Sequence, residues 1–307
     1  MNHPVLVIGY NRPDYINRRL VELTKSDVLP KKVIISLDGI PEGMHFGEFD
    51  FNLLSLPFEV SIIRRKENLG CSNHIILAVS EVLLEYQTCI VIEDDVVVGK
   101  NFIGAIAKGL SIMENNENIG IVGAFSPFHK GFFLSRTNPW RLSPYFSAWG
   151  WGTTSDFWQK FKKFSNVASC ESELENSDYW RTLSKRKRAI WLKRFDREVW
   201  DYNVQYILFL HSLSVLLPTY RLIDNEGFAD SRSTHTKHVR PWSLFGEGLS
   251  QKGPEGYSAP RKFSILKYYW SFVDSNLWAA DGYFNSRGRS AGIRTILKKL
   301  LRIGKFN

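Results

Sequence analysis

Thr88-Cys89-Ile90-Val91-Ile92-Glu93-Asp94-Asp95 is the stretch on which the fold turns. Residues 88–92 have the length and β-branched content of a buried strand, and the run stops on three acids. Ending a buried strand in three carboxylates costs free energy unless they meet a cation or water. Hard dications such as Mg²⁺ and Mn²⁺ prefer oxygen ligands and commonly take one or two carboxylates, leaving their other positions to phosphate oxygens and water. Side chains alternate along a strand, which puts Glu93 and Asp95 on one face and Asp94 on the other. Asp95, nearest the strand end, is the expected direct ligand. The competing reading is a solvated acidic turn, or a cap for the helix that begins near Phe102.

Working outward, the same pattern repeats. Val5–Gly9 is an apolar run broken by Asn11-Arg12-Pro13-Asp14, after which helical spacing runs through Leu20 and Leu23. Lys32–Leu37 is closed by Asp38-Gly39, and residues 58–63 are closed by Arg64-Arg65. Helical periodicity over 75–86 and Phe102–Met113 separates these runs from a fifth at 119–124. Strands alternating with helices predict an α/β fold with a mostly parallel central sheet flanked by helices. In such sheets the ligand crevice lies outside the carboxyl ends of the strands. Each polar pair is also an ordinary turn sequence, but four in the same relative place predict a crevice.

Beyond residue 125 the pattern changes. Glycine and aromatics crowd into Tyr145-Phe-Ser-Ala-Trp-Gly-Trp-Gly152; a helix over Ser155–Phe164 is followed by an acidic stretch at 171–178 and a basic cluster at 185–194. A long buried helix is expected over 196–211, short strands at 215–217 and 221–223, and loop over 231–238 and 241–260. The chain divides on this reading into a domain over 1–283, with a nucleotide- and metal-binding half (1–125) and an acceptor-binding half (126–283), and a tail over 284–307.

A chain of 307 residues that is 44% hydrophobic can bury a full core. Three scattered cysteines exclude a zinc knuckle or a redox dithiol and fit a reducing compartment. Neither a signal peptide nor a bilayer-spanning run is visible, so the expectation is a cytoplasmic chain or a trimmed soluble part. The net charge of +9 favours acidic partners. Much of it lies in the tail, where Ile293, Ile296, Leu297, Leu300 and Leu301 fall at helical spacing among basic residues. That amphipathic pattern suits peripheral contact with an anionic membrane at its inner face, and equally a helix docked on its own domain. Nucleic acid is set aside as a partner, because a charge run is usually a solvated face.

The segments Pro4-Val-Leu-Val-Ile-Gly-Tyr-Asn-Arg-Pro13, Ser36-Leu-Asp-Gly39, Glu67-Asn-Leu-Gly70 and Val91-Ile-Glu-Asp-Asp95 together resemble GT-A glycosyltransferases, and within them the N-acetylglucosaminyltransferase I type and its bacterial relatives. The resemblance covers roughly residues 4–236, and Glu93-Asp94-Asp95 matches the family's DxD metal motif. It implies a GT-A fold, a Mn²⁺ or Mg²⁺ cofactor at Asp95, and a nucleoside-diphosphate sugar, UDP-linked, as donor. Position by position it implies that Asn11 and Arg12 touch the nucleotide, that Asp38 reads the uracil edge, and that Arg64 or Arg65 lies near base or phosphates. Trp151, in the Gly/aromatic segment, would face the donor from the acceptor side. Asp201, in Trp200-Asp201-Tyr202, matches the segment that supplies the catalytic base, although Tyr202 replaces an acid there. His235, in Thr234-His235-Thr236, would touch metal or diphosphate, and Asp230 and Glu226 are weaker candidates for the base.

The expected reaction is inverting transfer of a hexosyl or N-acetylhexosaminyl group to a hydroxyl of a glycan or lipid-linked glycan. Two other classes compete with it. A sugar-1-phosphate nucleotidyltransferase would carry a Gly-rich phosphate loop with a lysine after the first strand, where this chain has Tyr10-Asn11-Arg12-Pro13. A non-catalytic glycan- or membrane-binding protein would keep the fold without turnover.

Overall fold

The computed structural model describes residues 3–41, 56–126, 139–164, 171–195, 199–230 and Leu249. His235 and the 284–307 tail lie outside the described residues.

Four strands, β1 (Val5–Gly9), β2 (Lys32–Leu37), β3 (Glu59–Arg64) and β4 (Thr88–Glu93), form the first half of the sheet. They are mutually parallel in the spatial order β3-β2-β1-β4. β1, β2 and β4 are almost continuously buried, as expected of strands covered on both faces. The coverings are α1 (Pro13–Thr24), α2 (Gly70–Glu85) and α3 (Phe102–Met113). α1 starts where it does because Pro13 cannot continue the strand but fits the first helical turn. Its apolar residues Ile16, Leu20 and Leu23 recur at helical spacing and are buried.

The second half is mixed. β6 (Ile119–Gly123), β7 (Trp140–Ser143), β8 (Trp151–Thr154) and β9 (Ser214–Pro218) complete one eight-stranded sheet of order β3-β2-β1-β4-β8-β6-β9-β7. β8 lies antiparallel between β4 and β6, and β7 runs antiparallel to β9. The other six strands share one direction, so the mostly parallel sheet predicted from sequence is present. A separate ribbon pairs β5 (Val96–Val98) with β10 (Ile223–Asn225). Helices α4 (Ser155–Phe164), α5 (Glu171–Leu174), α6 (Asp178–Thr182), α7 (Lys185–Phe195) and α8 (Trp200–Leu210) follow β8. No helix among the described residues is long and apolar enough to cross a membrane.

Several expectations need correction. Strands β5, β7 and β8 were not expected, and β10 begins two residues later than the expected 221–223 run. α2 starts at Gly70 rather than at residue 75. The acidic and basic stretches fold as α5, α6 and α7, because Leu174, Trp180, Trp191 and Phe195 give each a buried side.

A candidate active site at the switch point of the sheet

The order β3-β2-β1-β4 reverses the direction of strand addition between β1 and β4, and a crevice opens outside the carboxyl ends at such a switch point. Tyr10–Arg12 leave β1 there, Asp38-Gly39 leave β2, and Asp94-Asp95 leave β4. The first turns of α2 and α8 close in from the other side, with the backbone N–H of Trp200 donating to Ser72 Oγ at 3.4 Å.

β4 ends at Glu93, and Asp94-Asp95 form a turn into β5. Strand alternation therefore stops one residue too early to separate the two aspartates, and the expected opposite facing of Asp94 and Asp95 does not hold. One nitrogen of Arg12, Nη2, donates to Asp94 Oδ1 and, at 3.2 Å, to Asp95 Oδ2. Asn225 Nδ2 reaches Asp95 Oδ1 at 3.2 Å. Gly227 is needed against the same carboxylate, since a Cβ there would lie 2.3 Å from Asp95 Oδ2. Behind them Arg19, fully buried, donates to the Asp94 carbonyl at 3.2 Å, to Glu22 at 2.8 Å and to Glu226 at 3.0 Å.

Negative charge dominates the crevice. Burial, followed by the fields of Asp95, Asp94 and Asp201, pushes the Glu93 carboxyl well above the usual carboxylate range, with Arg12 pulling the other way. Burial raises Asp94 to about 7 despite its bond to Arg12, and it raises Asp95 as well. Cys71, in the first turn of α2, reports the convergence. Enclosure by protein and then the fields of Glu93, Asp201, Asp95 and Asp38 drive its thiol up to about 12, although the residue still reaches solvent.

Asp38 is buried, and its oxygens accept the backbone N–H groups of Gly39 (2.9 Å), Leu69 (2.9 Å) and Gly70 (3.0 Å). It caps α2 from a distance, a role its sequence position did not announce. Gly39 is obligatory there, because a Cβ would fall 2.1 Å from the Glu67 backbone. Asn11 is half-buried in the loop after β1. Arg65 is committed to Glu81 of α2, with Nη1 donating at 2.9 Å, and Arg64 is exposed at the end of β3. Arg65 is thereby directed to α2 rather than to the acidic turn.

Trp151 does not face the crevice. It is 1% exposed and lies inside an aromatic stack with Trp200 (5.7 Å), Phe146 (5.5 Å) and Trp158 (5.9 Å), so it has no free face for a sugar. Its neighbour Trp149 is half-buried, edge-on to Phe125 (5.1 Å) and Phe228 (5.6 Å), at the carboxyl side of the sheet beside the Asp95 turn. Asp201 sits half-exposed in the first turn of α8, its Oδ1 accepting the Tyr202 N–H at 2.9 Å. Glu226 is held by Arg18 (2.7 Å) and Arg19 (3.0 Å), and Asp230 bonds the Tyr15 hydroxyl. Sequence reading missed Arg19 and Ser72 and gave Asn225 no role of its own. Only the chain's return through β10 brings Asn225 beside Asp95, and no local spacing signals that.

Could these residues hold a dication? The donors are hard carboxylate oxygens, and Arg12 and Arg19 offset only part of their charge. No three His, Cys, Asp or Glu side chains form a ready-made cage among the described residues. A magnesium- or manganese-type ion needs no such cage, since one or two carboxylates and a phosphate suffice. The residues fit such an ion.

No protein-family model and no curated protein matches the chain. Among solved structures it is similar to the mannosyltransferase PcManGT from Pyrobaculum calidifontis in complex with GDP-Man and Mn²⁺, at 13% identity over 56% of this chain and 50% of that one, TM-score 0.38. It is similar also to S. aureus TarS, at 14% identity over 100% of this chain and 44% of that one, TM-score 0.40. The 1-349 fragment of TarS gives 12% identity, 73% of this chain, 59% of that one and a TM-score of 0.38. The chain spans about half the length of these proteins, and at scores this low the likeness adds nothing to the architecture derived above.

Proposed function

We propose that this chain is a GT-A-type glycosyltransferase that moves a sugar from a nucleoside diphosphate, uridine in the first instance, to an acceptor hydroxyl. The observation that carries this reading is the paired carboxylates Asp94 and Asp95, bridged by Arg12 in the turn that ends β4, at the switch point between β1 and β4. A phosphate-bearing donor has no reason to approach so many acids unless a cation lies between them. Asp95, supported by Glu93 and Asp94, would hold Mn²⁺ or Mg²⁺. A dication bound there would offset the negative charge that gathers on the departing diphosphate.

The remaining work falls to the chain's own groups. Asn11 and Arg12 border the donor from the loop after β1. Three of Asp38's acceptor positions are filled by backbone N–H groups, which leaves one to meet a donor on the base. Asp201 takes the proton of the acceptor hydroxyl as its oxygen bonds the anomeric carbon and the bond to the diphosphate breaks, with inversion. Trp149, not Trp151, is the aromatic available to an acceptor sugar.

The test is nucleotide release from a panel of UDP- and GDP-sugars, with and without Mn²⁺, for wild type and Asp95→Ala. Release that needs Mn²⁺ and vanishes in Asp95→Ala is expected. Pyrophosphate formed from UTP and a sugar phosphate would point to a nucleotidyltransferase instead. Silence with every donor would point to a binding protein.

A further inference from the structure

Arg12 is placed oddly for a residue whose sole task is to greet a nucleotide. Its Nη2 bridges the two aspartates of the turn, and the three side chains are only 12%, 4% and 12% exposed for Arg12, Asp94 and Asp95. Its Nε and Nη1 are buried and have no hydrogen-bond partner among the described residues. A guanidinium with five donors that leaves buried N–H groups unspent is held by charge more than by fit. Asp95 is meanwhile gripped on its other oxygen by Asn225, so its carboxylate is held in place beside Arg12.

We propose that Arg12 is the resident counter-ion of the Asp94-Asp95 turn and sets its affinity for divalent cations by competing for the same oxygens. The inference rests on the donor-site reading above. With Arg12 engaged, the buried acids are neutralised and a dication must displace a bonded cation. With Arg12 turned away, the acids are left with less compensation than burial tolerates, and they bind a dication more tightly. Arg19 cannot take over, because Glu22 and Glu226 hold it from behind the turn. Arg18 bears the same charge on the same helix but pairs with Asp14 and Glu226, so it controls for net charge alone.

The experiment is Mn²⁺ titration of the full chain followed by the electron paramagnetic resonance signal of free Mn²⁺, without nucleotide and with UDP. Arg12→Gln is expected to bind Mn²⁺ about tenfold more tightly than wild type without nucleotide. Arg18→Gln is expected to match wild type, and Asp95→Asn to lose binding. Arg12→Lys keeps the charge but not the planar fork, folds with less disturbance, and should fall between wild type and Arg12→Gln. Equal or weaker binding by Arg12→Gln and Arg12→Lys overturns the proposal, as does equal tightening by Arg18→Gln. In either case a wild-type site that still binds Mn²⁺ leaves the donor reading standing. No Mn²⁺ binding by any variant, even with UDP, removes both.

Discussion

The two halves of the sheet meet at the seam between β4 and β8 and treat charge in opposite ways. On the β1–β4 side, parallel strands deliver polar residues to one edge, and the acids there are held by Arg12, Arg19 and backbone N–H groups. On the β8 side, antiparallel insertion turns Trp151 inward, and the polar edge is replaced by stacked rings of Trp151, Trp158 and Trp200. The first half supplies the charge and the second supplies rigidity. Asp201, on that side, is carried on the residue after a stacked tryptophan. Trp151 packs against Trp200, the first residue of α8, and so helps to fix where that helix begins.

That division is broken first by Trp151→Ala. Removing a fully buried indole from the stack should cost about 3–5 kcal/mol of stability, read as a lowered denaturation midpoint with an unchanged slope. Trp149→Ala, at a half-buried position, should cost far less and instead raise the KM for acceptor. Reversed effects would mean that Trp151 is the ligand platform after all.

Asp201→Asn comes next. The change keeps size and the bond from Tyr202 N–H but removes the proton acceptor. Transfer should slow by roughly two or more orders of magnitude while UDP and Mn²⁺ binding stay within error. Loss of nucleotide binding together with turnover would make Asp201 part of the donor cradle and leave the second half without a chemical role.

The same contrast explains what could be read from sequence. β1, β2 and β4 announce themselves because each is an apolar run stopped by polar residues. β7 and β8 do not, because Trp140-Arg-Leu-Ser and Trp151-Gly-Thr-Thr bury Arg141, Ser143 and Thr153 inside strands, against the usual sign of those residues. Asp94 and Asp95 were legible as a pair but not in direction, since a turn begins where alternation was assumed to continue. Trp151 looked like a sugar platform for want of its partners, which lie in α4, in α8 and before β8. The partners of Arg19 and Asn225 could not be read locally, because they come from elements far away in the chain.

The smallest expected effect is the one that separates two roles for a residue on the legible side. Asp38 was expected to read a base, and it holds the α2 N-terminus with both oxygens. Asp38→Asn keeps the acceptor for Gly39 and Leu69 but turns an NH₂ group toward the Gly70 N–H. Loss of that charged acceptor should cost about 1–2 kcal/mol, a fall in Tm of roughly 2–3 °C. If the cap is its main work, UDP and CDP affinities should fall together, because the α2 turn that borders the crevice loosens for both. If its remaining lone pair meets the uracil N–H, UDP affinity should fall more than CDP affinity, since cytosine has no proton at that ring nitrogen. A Tm left unchanged beside a selective loss for UDP would assign the carboxylate to the base and deny it the cap.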